Sequence, residues 1–124
     1  MTTSSPRHRS GLLDIHTREV GDVFVADLRG ELRLGKESKL LGKLLRGEMD
    51  AGRKRILLQF TTLINMDSTG VGVLVEAKAH AIHLGGALRL CDCPSFVARI
   101  LHRLALHKIL DVYETEAEAL ANWR

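Results

Sequence analysis

The sequence contains few aromatic residues, with one Trp, one Tyr and three Phe among 124 residues. The core must therefore be aliphatic, built from Leu, Val, Ile and Ala. So few rings also argue against a surface that stacks the bases of single-stranded nucleic acid. The net charge of +3 is mild and does not indicate the clustered basic footprint of a nucleic-acid-binding protein. We expect no direct nucleic-acid partner.

Long apolar segments are also missing. No run could span a bilayer, and the N-terminus lacks the apolar stretch of a secretory signal. We therefore expect a cytoplasmic protein without membrane insertion. The only cysteines, Cys91 and Cys93, are separated by one residue, so a disulfide between them would be strained. Two reduced thiols are expected, with Cys93 exposed enough to oxidise.

The length of 124 residues favours one domain, and 45% hydrophobic with 27% charged residues is typical of a soluble globular chain. We predict a disordered tail over residues 1–11 and a single domain over residues 12–124.

Hydrophobic spacing predicts an ordered series of strands and helices. Two strands at 12–17 and 23–28 form a hairpin. The later elements are a helix at 34–49, a strand at 55–60, a helix at 68–84, a strand at 87–91, a helix from 94, a strand at 109–113 and a helix to about 123. Alternating strands and helices place parallel strands side by side. The fold class is therefore α/β: a mixed sheet, made of an N-terminal hairpin plus parallel strands, with about four helices packed on it.

The segment Asp-Ser-Thr-Gly-Val-Gly at residues 67–72 follows a buried strand and opens a helix. The first N–H groups of a helix have no intrahelical partner, so a hydroxyl can cap them and a phosphate can be held by them. Ser68 could thus carry a phosphate, which adds about −1.5 to −2 charges at pH 7. An ordinary N-cap without further function explains the same residue types.

The chain resembles the STAS domain family, specifically its stand-alone anti-sigma-factor antagonists. The resemblance rests on Leu-Arg-Gly-Glu-Leu at 28–32, Ile-Leu-Leu at 56–58 leading into the segment 66–72, Gly-Gly-Ala-Leu-Arg-Leu at 85–90, and residues 106–120. It covers the chain from about residue 13 to the C-terminus. A STAS-like sheet with packed helices is the fold that it implies.

The resemblance also implies a function without catalysis by this chain. Ser68 would be phosphorylated by a partner anti-sigma factor, a serine kinase of the histidine-kinase-like ATPase type. The unphosphorylated antagonist would bind that kinase and free the sigma factor for transcription, and the phosphorylated form would dissociate. A phosphatase is a further candidate partner. The implied partner-binding residues are Glu31, Arg33, Asp67, Ser68, Thr69, Gly70 and Gly72.

Three residues depart from the family pattern. Arg33 stands where an acidic residue is usual, Gln59 where Asp is common, and Asn65 where an apolar or aromatic residue is common. Arg33 and Asn65 are expected to flank the docking surface, so these departures bear on partner identity.

Other sites are less well supported by the sequence. His80 and His83 lie one helical turn apart, but no acidic or Cys cluster joins them, and zinc needs three or four ligands. Asp67 cannot orient a distant histidine for a Ser triad, and no Gly-x-Ser-x-Gly elbow is present. The Gly-Val-Gly sequence at residues 70–72 lacks the third glycine of the dinucleotide-binding motif and the Lys of a P-loop. We predict no catalytic residue, no metal and no cofactor.

Three functional alternatives remain, along with one candidate surface. The chain is an antagonist switched at Ser68, an accessory STAS subunit of a lipid-exporting ABC transport system, or a regulatory STAS protein that binds a small ligand.

The basic stripe of the first long helix is either a solvated face or a docking patch. That stripe consists of Lys36, Lys39, Lys43 and Arg46.

Overall fold

A computed structural model describes residues 7–123 of the chain. Its six strands are β1 (Arg7–Ser10), β2 (Leu13–Val20), β3 (Val23–Leu32), β4 (Arg55–Met66), β5 (Ala87–Cys91) and β6 (Asp111–Tyr113). Its α-helices are α1 (Lys36–Asp50), α2 (Ser68–His83), α3 (Ser95–Arg103) and α4 (Glu116–Leu120), with a short 3-10 turn at Leu106–Lys108.

The strands form one sheet in chain order, β1-β2-β3-β4-β5-β6. β1, β2 and β3 pair antiparallel, whereas β3, β4, β5 and β6 pair parallel. The predicted α/β class, with a mixed sheet and four helices, is confirmed.

Alternating residues of the strands supply two separate cores. Ile56, Leu58 and Phe60 of β4 face the larger core, together with buried residues from α1, α2 and α3. Leu57 faces the other side of the sheet, where Ala119 of α4 and Trp123 cover it. β4 is therefore buried on both faces, as its unbroken apolar run predicts.

The predicted disorder of residues 1–11 is wrong for residues 7–10, which form β1. This strand pairs antiparallel with β2, and the Arg7 guanidinium donates to both carboxylate oxygens of Asp14 at 2.8 Å. Backbone pairing and this ion pair hold a strand whose four residues are all polar, so the strand has no hydrophobic signal. Residues 1–6 lie outside the described residues.

Several predicted bounds also differ. β3 extends to Leu32 and β4 to Met66, while the last strand begins at Asp111 because Leu106–Lys108 form the 3-10 turn. The final helix ends at Leu120 rather than near residue 123. Thr115 caps it, its hydroxyl accepting a hydrogen bond from the Glu118 amide at 3.1 Å.

Candidate functional site

Asp67 joins the two connections at the carboxyl ends of β3 and β4. One carboxylate oxygen accepts from the Gly70 amide at 3.0 Å and caps α2, and the other accepts from the Leu34 amide at 2.8 Å. The Asp67 amide in turn donates to the Leu32 carbonyl at 3.2 Å. The start of α2 is therefore fixed against the loop that leads into α1.

The charge of Asp67 is favoured by this environment. Burial acts to raise its pKa, but hydrogen bonds from the amides of Gly70, Leu34 and Thr69 and the charge of Arg33 outweigh burial, so the pKa lies below its usual value. The carboxylate is thus ionised and engaged by the backbone, and it serves as the N-cap in place of Ser68.

Ser68 is the first residue of α2, and its side chain is exposed. Within residues 7–123 its hydroxyl has no hydrogen-bond partner, because Asp67 already caps the helix. Thr69 is half-buried and lines a groove between α1 and α2. Of the two hydroxyls, that of Ser68 is the more open to an incoming group.

Gly70 and Gly72 differ in their surroundings. A Cβ on Gly70 would lie 2.9 Å from the Leu32 carbonyl oxygen and 3.0 Å from Met66 Cγ, so Gly70 lets α2 pack against the strand ends. Gly70 is itself buried and packs internally, and the partner contact implied by the resemblance stays a prediction. Gly72 is exposed, and a Cβ there would meet nothing within 4 Å, so its part in partner binding stays a prediction.

Glu31 and Arg33 lie on the adjoining strand end. The Arg33 guanidinium donates to Glu31 at 3.0 Å, and the Arg33 carbonyl accepts from the Ser38 hydroxyl at 2.6 Å. Asn65 is exposed and pairs in register with Glu31. The structure therefore brings Glu31, Arg33 and Asn65 to the same end of the sheet as Asp67.

Three exposed aliphatic side chains at this end were not identified from the sequence. Leu34 is 72% exposed, Ile64 is 70% exposed and Leu12 is 56% exposed. The Leu12 amide and carbonyl hydrogen-bond with Glu37 and Glu31, which places Leu12 beside the start of α1. We call these three side chains and Ser68 the Ser68 surface. Their signal in the sequence is weak, because each is a single apolar residue next to a predicted element end.

The basic stripe of α1 is exposed as predicted for the polar face of that helix. A groove of about 310 Å³ runs between α1 and α2 beside this stripe. It is lined in part by Lys39, Gly42, Arg46, Thr69, Val73 and Glu76. The groove thus connects the stripe to the first turn of α2.

A polar cluster occupies the sheet face on the side of α4. Arg18 donates to Asp27 at 2.9 Å and to Glu116 at 2.5 Å, and the Gln59 amide donates to Glu116 and Asp92 at 3.0 Å each. We call these five residues the Arg18 cluster. An Asp carboxylate in place of Gln59 would face Asp92 and Glu116 without a proton to donate to them. This explains why Gln59 replaces the Asp that is common at this position in the family.

The remaining candidate side chains are the two histidines His80 and His83 of α2. His80 Nε2 lies 2.8 Å from Asp50 Oδ1, and His83 is exposed on the last turn of α2. Among residues 7–123, no group of three His, Cys, Asp or Glu side chains is placed to hold a metal ion. No helix in the same range has both the length and the apolar character needed to cross a membrane.

Both cysteines are free thiols. Cys93 is half-buried rather than exposed, and burial raises its pKa to about 12. Because the thiolate is the reactive form, this environment opposes the oxidation expected at Cys93.

The sequence and the fold are similar to those of known proteins. The STAS domain family matches residues 14–119, which is most of the chain. The chain belongs to the STAS domain family. Among curated STAS relatives, it is 30% identical to an anti-sigma F factor antagonist of Paenibacillus polymyxa over 113 residues, covering 87% of this chain and 92% of the relative.

Solved STAS structures agree with this assignment. A proposed anti-sigma factor antagonist of Thermotoga maritima is 27% identical, with a TM-score of 0.76 over 84% of this chain and 89% of the other. The phosphorylated form of the Bacillus cell fate determinant SpoIIAA has a TM-score of 0.69 over 86% of this chain and 96% of its own, and at 21% identity it establishes a shared fold. By sequence and fold, this chain groups with the STAS anti-sigma factor antagonists.

Proposed function

We propose that this chain is an anti-sigma factor antagonist that binds an anti-sigma factor with serine kinase activity and is released by phosphorylation of Ser68. The observation that carries the proposal is the exposed Ser68 hydroxyl on the fixed first turn of α2. The proposal also includes a phosphatase that restores the hydroxyl, and a cytoplasmic location.

The chemistry of the switch belongs to the kinase. The Ser68 oxygen forms a bond to the γ-phosphorus of ATP while the bond to ADP breaks, and the hydroxyl proton passes to a base of the kinase. This chain supplies only the acceptor. Asp67 keeps the acceptor in place because its two carboxylate oxygens are engaged by backbone amides.

The phosphate would act through the surface around it. Before phosphorylation, Leu34 and Ile64 offer apolar area for a partner to bury, which favours association. Afterwards the same contact would have to desolvate a group of about −1.5 to −2 charges. Dissociation therefore follows without any change in the fold.

Labelling with the cognate kinase and ATP tests the acceptor. We expect intact mass to show one added phosphate on the wild-type chain and on Thr69→Ala, and none on Ser68→Ala. Equal labelling of Ser68→Ala would show that another residue is the acceptor.

A binding measurement tests the switch. We expect Ser68→Ala to retain the anti-sigma factor and Ser68→Asp to lose it. Recovery of a transporter ATPase with the native chain, together with the absence of phosphate on Ser68, would instead support an accessory subunit of an ABC transport system.

A further inference from the structure

The loop from β3 to α1 brings a cation next to the proposed phosphorylation site. Leu32 pairs in register with Met66, and the Leu34 amide donates to Asp67 at 2.8 Å. Arg33 lies between these two contacts, and Ser68 directly follows Asp67. Neighbouring strands are about 4.8 Å apart, a distance that an arginine side chain can span.

Arg33 is held loosely in the unphosphorylated chain. It donates to Glu31 at 3.0 Å, and its side chain is 51% exposed. Among the described residues, no other side chain accepts from it. Exposed pairs of this kind contribute little to stability, and a guanidinium has further N–H donors. Arg33 can therefore change partners at little cost.

We infer that Arg33 receives the phosphate on Ser68 and exchanges Glu31 for it. This inference rests on the proposed function, since it requires a phosphate at Ser68. A phosphate has more charge than a carboxylate and matches the guanidinium fork with two parallel hydrogen bonds. The dianion therefore competes successfully with Glu31 for the same donors.

The exchange would change what a partner meets. The unphosphorylated surface presents a cation at Arg33, which fits an acidic group on the partner. The phosphorylated surface presents a free Glu31 carboxylate and an Arg33 already occupied by phosphate. Phosphorylation thus adds negative charge and also removes the contact between Arg33 and the acidic group of the partner. Arg33 would in this way help to determine which partner binds.

Lys36 offers a local control because it is also exposed and follows three residues later. In residues 7–123 it has no ion-pair partner, so Lys36→Gln removes one positive charge near the same loop. A general effect of charge would appear in both Lys36→Gln and Arg33→Gln. A specific phosphate contact would appear in Arg33→Gln alone.

The test uses chains in which phosphoserine is incorporated at position 68 during synthesis, so it requires no kinase. The second pKa of the phosphate, ordinarily about 6, is followed by phosphorus NMR. We expect Arg33→Gln to raise that pKa by roughly 0.5 unit and Lys36→Gln to raise it by much less. The Arg33 Nε–H resonance should also differ between the phosphorylated and unphosphorylated wild-type chains.

Two results would overturn the inference: an unchanged phosphate pKa in Arg33→Gln, or an equal rise in both variants. Circular dichroism verifies that both variants fold, which is expected because both side chains are exposed. Failure of the kinase to label Ser68 is a different outcome, since it overturns the proposed function through a separate experiment.

Discussion

The Ser68 surface and the Arg18 cluster distribute apolar and charged side chains in opposite ways. On the Ser68 surface, Leu34 and Ile64 are about 70% exposed beside a hydroxyl without a partner in the described chain. In the Arg18 cluster, the half-buried Arg18 satisfies two carboxylates of the same chain. The Arg18 cluster therefore has its interactions completed within the chain, whereas the Ser68 surface leaves its apolar side chains and its hydroxyl exposed to solvent.

The largest expected effect on stability is that of a substitution at Gly70, in the first turn of α2. Gly70→Ala places a methyl group 2.9 Å from the Leu32 carbonyl oxygen, and a backbone atom cannot easily move away. We expect the free energy of unfolding to fall by about 1–3 kcal/mol, as in other overpacked sites. Urea denaturation measures this loss through the shift in midpoint.

Gly72→Ala is the matched control, two residues along the same helix. Its methyl group would meet nothing within 4 Å, so we expect a gain of up to about 1 kcal/mol from helix propensity. Equal effects of the two substitutions would contradict the assignment of Gly70 to internal packing and of Gly72 to the open surface.

A second prediction compares the two arginines directly. Arg18→Met leaves Asp27 and Glu116, whose side chains are only 17% and 27% exposed, without their cation. We expect a loss of about 1–2 kcal/mol. Arg33→Met should cost less than about 0.5 kcal/mol, because Arg33 forms one exposed pair with Glu31.

Thermal and urea unfolding of both variants test this comparison. Similar losses for Arg18→Met and Arg33→Met would mean that the loop before α1 is as firmly tied as the sheet face beneath α4. The assignment of Arg33 to partner recognition would then lose its physical basis.

The sequence is sufficient to predict five of the six strands and the four helices, but not the way that polar residues pair across the sheet. Apolar spacing located β4 and α2 because burial repeats with the period of each element. Arg18 and Glu116 are 98 residues apart, and no local pattern indicates that they meet. The same limit explains β1, whose polar residues are held by the pairing with β2.

The candidate site was predicted in part, for a related reason. The position of Ser68 at the start of a helix follows from local residue types, but its proposed phosphorylation rests on the resemblance to a family. The contact of Asp67 with the Leu34 amide joins two loops, so it could not be read from spacing. The burial of Gly70 likewise depends on Leu32 and Met66, which only the folded chain brings near.

A smaller effect is expected in the pH dependence of stability, through Glu116 of the Arg18 cluster. Hydrogen bonds from Arg18, with those from Gln59, hold the pKa of Glu116 below its usual value despite partial burial. A carboxyl group whose pKa is lower in the folded chain than in the unfolded chain stabilises the folded chain when it is ionised. This stability is complete above the unfolded pKa of about 4.3 and is lost as the pH falls through the folded value.

We therefore expect Glu116→Gln to be less stable than wild type at pH 7 and to lose less stability between about pH 5 and pH 3. Urea midpoints at several pH values measure the two slopes. Glu114→Gln is the control, since Glu114 is exposed and has no ion-pair partner within the described residues. Parallel slopes for Glu116→Gln and wild type would contradict the stabilising role of the ionised pair.

The smallest expected effect on stability is also the sharpest test of the Ser68 surface. Leu34→Ser and Ile64→Ser remove apolar area that is already in solvent, so unfolding free energies should stay within about 0.5 kcal/mol of wild type. Binding to the anti-sigma factor, measured by calorimetry, should weaken about tenfold or more, because fully burying a Leu or Ile side chain contributes about 1.5–3 kcal/mol and a factor of ten corresponds to about 1.4 kcal/mol. Ile82→Ser is the control: Ile82 is 60% exposed but lies 14 residues from Ser68 along α2, about 21 Å away by helical rise. Loss of binding only at Leu34 and Ile64 would assign the partner to the Ser68 surface, whereas equal loss at Ile82 would place the interface along the whole helix. Stability alone cannot make this distinction, since all three side chains contribute little to the folded chain.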